Sequence, residues 1–193
     1  ESGIRKDYYQ ATSVPRCFLD SELQLSGNAA QPVTKTKLLS RYDVPAFAEI
    51  RGAFNIDTNN IITITADVAS YINVNNLRTF ISVNEKTTTK NTVEYGGNGE
   101  KEFHHITMKM LENPNGNIIN INAGEYTRLE FSYDMEKSFM EDINDLEVAL
   151  WLQDYETKEI YNSHFAYEYT DRCYPVQNMK AEIIIDCIGA VEI

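Results

Sequence analysis

LEVALWLQDYETKEIYNSHFAYEY, Leu146 to Tyr169, is the stretch that decides the fold. Leu146, Val148, Leu150 and Leu152 alternate with Glu147, Ala149, Trp151 and Gln153. Successive side chains of a strand point to opposite faces, so this period of two marks a strand with one buried face. The polar run Asp154-Tyr155-Glu156-Thr157-Lys158 then reverses the chain. Ile160 to Tyr169 reads as a second strand, with Tyr161, Phe165, Tyr167 and Tyr169 expected on one face. Together the runs predict a β-hairpin with a longer loop.

The same grammar extends outward to most of the chain. Ala46 to Ile56 reads as a strand, and Asp57-Thr58-Asn59-Asn60 as a turn with the side-chain chemistry that favours reversal. Ile62, Ile64, Ala66 and Val68 share one face, and Leu77, Thr79, Ile81 and Val83 another. Glu85 to Lys101 is polar and holds Gly96-Gly97-Asn98-Gly99, which predicts a long mobile loop. Phe103 to Leu111 is a strand, Asn113-Pro114-Asn115-Gly116 a turn and Ile118 to Ile121 a short strand. Thr127, Leu129, Phe131 and Tyr133 define a further face, Lys137 to Asn144 a helical turn, and Ala181 to Ile193 a last strand. Many short strands punctuated by turns predict a mainly β chain, an antiparallel β-sandwich of immunoglobulin-like or jelly-roll-like type over residues 45–193.

Residues 1–44 differ. Glu1 to Gln10 suggests the end of a helix, Glu22 to Leu25 a short strand and Val33 to Tyr42 a helix. Asp43-Val44-Pro45 reads as a linker, because Pro45 disfavours helix at Val44. This segment holds too few apolar residues for a core of its own. It is expected to pack on the sandwich, pair with another chain or be mobile. Trp151, the one tryptophan, lies opposite the leucine face of its strand. It is therefore expected on the outer face, covered by residues 1–44 or serving a partner.

Composition narrows the function. The chain has 193 residues, 42% hydrophobic and 24% charged, and a formal net charge of -12. Such an acidic surface repels phosphate backbones and anionic lipid, so no nucleic-acid partner is expected. No apolar run approaches the roughly 20 residues that span a bilayer, so no transmembrane segment is expected. The first residues, ESGIRKDYYQ, do not form a signal peptide. A cytoplasmic protein and an exported one whose leader has been removed both fit that start.

Catalytic and metal patterns are missing from the sequence. Cys17, Cys173 and Cys187 show no CxxC or Cys/His ligand spacing, and there is no HExxH or GxSxG. Cys173 and Cys187 can be bridged if their strands lie side by side; two buried thiols is the alternative reading. His104 falls in line with Ile106, Met108 and Met110 and is expected toward the core, with adjacent His105 toward solvent. Asp134, Glu136, Glu141, Asp142, Asp145 and Glu147 offer oxygens for calcium but lack the spacing of a dedicated loop, and read as a solvated face. No catalytic residue, metal or cofactor is expected. The aromatic row Tyr161, Phe165, Tyr167 and Tyr169 fits a carbohydrate or protein contact face, or core between two sheets.

Two segments also carry a resemblance. Ser13-Val14-Pro15-Arg16-Cys17-Phe18-Leu19-Asp20 is similar to the cis-proline segment of thioredoxin folds. The strand containing His105-Ile106-Thr107-Met108-Lys109 and the hairpin VALWLQDYETKEIYNSH make Ala46 to Tyr169 resemble the C-terminal β-domain of the Omp28-like outer-membrane protein family of Bacteroidetes. Members of that family place a thioredoxin-like domain before the β-domain. The resemblance implies export to the outer membrane, cell surface or periplasm. It implies a non-catalytic β-domain with a binding or assembly role and a protein or glycan partner. Trp151, Tyr161, Tyr167 and Tyr169 are the candidate contact residues, and Pro15 the candidate cis-proline. The sequence departs from the thioredoxin pattern in lacking its first βαβ unit and its CxxC. Two other readings therefore stay open: a thiol-disulfide protein whose CxxC half is absent from this chain, and a carbohydrate-binding β-sandwich.

Overall fold

Apolar residues at every second position must be covered on one side, and two facing sheets provide that cover. The computed structural model describes residues 2–12, 17–20, 23–25, 34–90, 101–168, 182–185 and 189–192. The elements in order are α1 (Ser2–Tyr8), β1 (Cys17–Leu19), β2 (Leu23–Leu25), α2 (Lys35–Tyr42), β3 (Ala48–Ile56), β4 (Ile61–Ser70), β5 (Val74–Thr88), β6 (Phe103–Leu111), β7 (Asn117–Ile121), β8 (Tyr126–Asp134), β9 (Leu146–Asp154), β10 (Ile160–Phe165), β11 (Tyr167–Glu168), β12 (Glu182–Ile185) and β13 (Gly189–Glu192). One sheet has the order β10-β9-β5-β6, with β7 also on β5; the other has the order β11-β3-β4-β8. All pairings are antiparallel except that of β11 with β3. The protein is thus a mainly β, antiparallel sandwich.

The alternating runs meet between the sheets. Leu146, Val148, Leu150 and Leu152 of β9 and Ile81 and Val83 of β5 pack with Ile62, Ile64, Ala66 and Val68 of β4 and Ala48, Ile50 and Phe54 of β3. At the inward position between Ile50 and Phe54 stands Gly52, where a Cβ would lie 2.5 Å from Leu150 Cδ1 and in closer conflict with the Thr65 carbonyl oxygen. Glycine there lets the two sheets approach. The sheets also meet along one edge, where Asn162 Nδ2 of β10 donates to Ala48 O of β3 at 3.1 Å.

The hairpin forms as its sequence predicts, and its loop is organised by one carboxylate. Asp154 Oδ1 accepts from Glu156 N and Thr157 N, each at 2.8 Å. Its second strand differs from expectation. The register of β10 on β9 shifts between Ile160 and Asn162, so Tyr161 sits at an irregularity. At Ala166 the chain leaves this sheet, and Tyr167 and Glu168 pair with β3 of the other. The expected single face of Tyr161, Phe165 and Tyr167 is therefore broken, because a bulge and a crossover each reset the alternation.

Other expectations change too. The strand expected over Ala181 to Ile193 is two strands, β12 and β13, paired antiparallel. His104 faces solvent rather than the core, with a side-chain exposure of 57%, and pairs with Glu102 at 3.0 Å. The alternation fails there because His105 takes a φ of 55° and the β5–β6 register shifts between Val83 and Asn84.

The start of the polar loop expected over Glu85 to Lys101 is strand, since β5 runs on to Thr88 and Glu85 is fully buried; residues 91–100, with Gly96 to Gly99, lie outside the described residues. The Glu85 carboxylate accepts from Glu141 N at 2.9 and 3.0 Å and from Asp142 N at 2.6 Å. Glu141 in turn accepts from Thr89 N and Lys90 N at 2.9 and 2.7 Å. These carboxylates tie the segment before β9 to the end of β5. Glu85→Ala leaves two backbone donors without their acceptor and is expected to cost about 1–3 kcal/mol in urea unfolding. Glu85→Gln, which keeps one acceptor oxygen, should recover part of that loss.

Candidate functional site

The outer face of the β9 sheet is covered at one place by aromatic and cationic side chains. Phe80 of β5 and Trp151 of β9 are cross-strand neighbours, and their rings stack at 5.1 Å with planes 7° apart. Outer-face aromatics usually meet water, yet Phe80 is fully buried. Two elements bury it. The β6–β7 turn lies on its ring through Gly116, whose φ is +77° and where a Cβ would stand 2.7 Å from Phe80 Cζ. The second element is α1. Arg5 places its guanidinium carbon 4.4 Å from the Phe80 centroid and 6.0 Å from that of Trp151. Tyr8 stacks on Tyr155 of the hairpin loop at 4.7 Å, and Tyr9 on Phe18 of β1 at 5.0 Å.

Hydrogen bonds fix this contact. Buried Gln153 donates through Nε2 to Tyr9 Oη at 2.9 Å and to Lys158 O at 2.7 Å. Arg5 donates to Tyr9 Oη at 3.0 Å and Tyr8 Oη donates to Tyr155 O at 3.0 Å. Burial draws the Arg5 guanidinium below its usual value, and burial with the neighbouring Tyr9 pushes the Tyr8 hydroxyl up to about 12. A guanidinium over several aromatic faces is a favourable, weakly hydrated contact, and it holds α1 against the sheet.

Trp151 accordingly lies on the outer face beneath the N-terminal helix. It also borders, with His164 and Phe165, a shallow cavity of about 410 Å³ against β10. Tyr161 is half-buried in a different place. With Asn162 and Glu159 it lines a cleft of about 410 Å³ whose other wall is Asp20, Arg41, Tyr42, Val44, Pro45 and Ala46. Arg41 Nε and Asp20 Oδ2 pair there at 3.3 Å. Burial, with Asp154 and Glu159 nearby, pushes the Tyr161 hydroxyl up. Tyr167 is 69% exposed and meets His164 edge-on at 5.4 Å. The structure thus separates Trp151, Tyr161 and Tyr167 rather than forming one aromatic platform. Tyr169, Pro15, Cys173 and Cys187 lie outside the described residues.

A third concavity, of about 590 Å³, runs between β6 and the end of β8. Met108, Met110, Tyr133 and Phe139 supply its apolar lining and Lys109 and Lys137 its cations, with Lys109 Nζ 5.0 Å from the Tyr133 centroid. The acidic residues noted from the sequence are used differently: Asp134 and Asp142 accept from backbone N–H groups, and Glu147 pairs with His105 at 2.8 Å. Among the described residues no three His, Cys, Asp or Glu side chains are grouped to hold a metal ion. Sequence reasoning did not identify Arg5, Phe80, Gln153, Asp20, Arg41 or Tyr42. An arginine within a tyrosine-rich start, IRKDYY, was the one local signal available.

No protein-family model and no curated protein matches the chain. Similarity is found among solved structures. HBP35 of Porphyromonas gingivalis aligns over 76% of this chain and 50% of its own, at 15% identity and a TM-score of 0.54. The two share a fold, and this chain spans about half the length of that protein. A domain of the outer membrane lipoprotein Omp28 from Porphyromonas gingivalis aligns over 66% of this chain and 95% of its own, at 16% identity and a TM-score of 0.47.

Proposed function

We propose that this chain is a non-catalytic, exported β-domain of a cell-envelope protein, with a binding or assembly role. The observation that carries the reading is the contact of α1 with Phe80, Trp151 and Gln153. Here two outer-face aromatics of the sandwich, Phe80 and Trp151, hold another piece of polypeptide. A domain whose sheet face packs against a neighbouring segment suits assembly. The fold shared with HBP35 of Porphyromonas gingivalis and the resemblance to the Omp28-like β-domain support the envelope setting. No helix among the described residues is long and apolar enough to cross a membrane.

Fractionation of the source cells, followed with an antibody against this chain, tests the proposal. Recovery with the envelope or at the cell surface is expected. Recovery in the cytosol alone overturns it. The saccharide-binding reading is favoured by one feature, the polar cleft beside Tyr161.

A further inference from the structure

We propose that the cleft between the α2 end and the start of β10 binds a neutral saccharide. The inference deepens the binding role above and rests on it. The cleft, about 410 Å³, falls within the range of small-ligand sites. Its two walls come from distant parts of the chain, Asp20 with Arg41 and Tyr42 on one side and Glu159 with Tyr161 and Asn162 on the other. A bound ring would touch both.

The lining chemistry selects the ligand class. Sugars expose hydroxyls, which both donate and accept, and C–H faces that lie on aromatic rings. Tyr42 and Tyr161 offer such rings, and Tyr42 is 84% exposed, an unusual position for a large aromatic without a partner role. Carboxylates accept only, a guanidinium donates only, and an amide does both. Asp20 and Glu159 therefore suit hydroxyl donors, and the Asn162 amide suits hydroxyl hydrogens and oxygens alike. Asn162 uses Nδ2 on Ala48 O at 3.1 Å, which fixes its amide plane.

Charge argues against anions. Among the described residues of the lining, Arg41 pairs with Asp20 and Glu159 adds a further negative charge. A phosphate or uronate would meet that carboxylate and the field of a chain with net charge -12. A neutral polyol meets neither penalty.

Affinity electrophoresis of the whole chain through gels containing laminarin, mannan, dextran or xylan tests the proposal, with alginate as the anionic control. At least one neutral polymer is expected to retard the wild type. Glu159→Gln and Tyr42→Ala should each weaken that retardation about tenfold while circular dichroism and the melting temperature stay unchanged. No retardation by the neutral polymers, retardation by alginate alone, or retardation equal in wild type and both variants overturns the proposal. A chain recovered in the envelope that binds no polymer loses only the saccharide site; a polymer-binding chain confined to the cytosol loses only the envelope role.

Discussion

Replacing Leu150 by alanine is expected to lower the unfolding free energy by about 2–5 kcal/mol. Leu150 is fully buried on β9, paired across the strands with Ile81 and facing β3. Its Cδ1 fills the space left by Gly52, so truncation leaves a hole that two hydrogen-bonded sheets cannot close. Gly52→Ala tests the same contact from the other side. The added carbon would meet Leu150 Cδ1 at 2.5 Å and the Thr65 carbonyl oxygen. Overpacking of this kind costs about 1–3 kcal/mol, and the upper end is expected because one obstacle is backbone. Urea unfolding of the two variants and their combination checks the argument. The double variant should lose less than the sum, since Leu150→Ala removes one of the two conflicts. Strict additivity would show that the two positions do not share the space.

Trp151→Ala is expected to have a different signature. Its ring lies under Phe80 and Arg5 on the outer face, so its loss removes stacking and cation contacts that hold α1. Each such contact contributes about 0.5–2 kcal/mol, which corresponds to about a tenfold rise in the open population of the N-terminal segment. Chymotrypsin at Tyr8 and Tyr9 reads this directly, because cleavage of a transiently opened segment follows its open population. Cleavage should accelerate about tenfold while the urea midpoint falls by less than in Leu150→Ala. Unchanged cleavage with a large global loss would place Trp151 energetically in the core. Arg5→Ala should reproduce the faster cleavage with a smaller effect on the sandwich, since Arg5 contributes to docking and not to the space between the sheets.

Strand identity was legible because it is a local property. Leu146 to Leu152 and Ile62 to Val68 declare a buried face through spacing alone, and Asp154 declares its turn through a side chain that accepts from the amides two and three residues on. The outer position of Trp151 follows from the same parity. Nothing local marks Glu85 as a buried carboxylate; its partners, the amides of Glu141 and Asp142, lie 56 and 57 residues away. Parity alone puts Tyr161 and Tyr167 on one face, but parity holds only while register holds, and a bulge followed by a crossover at Ala166 breaks it. The candidate sites were least legible. Asp20 with Tyr161, and Arg5 with Phe80, become neighbours only when the N-terminal segment lies on the sandwich. The sequence by itself determined which residues turn inward along β4 and β9, where the register is unbroken, because that is backbone geometry. Which distant side chains share a cleft was decided by tertiary structure, since it depends on how separate elements dock, and no spacing along the chain encodes that distance.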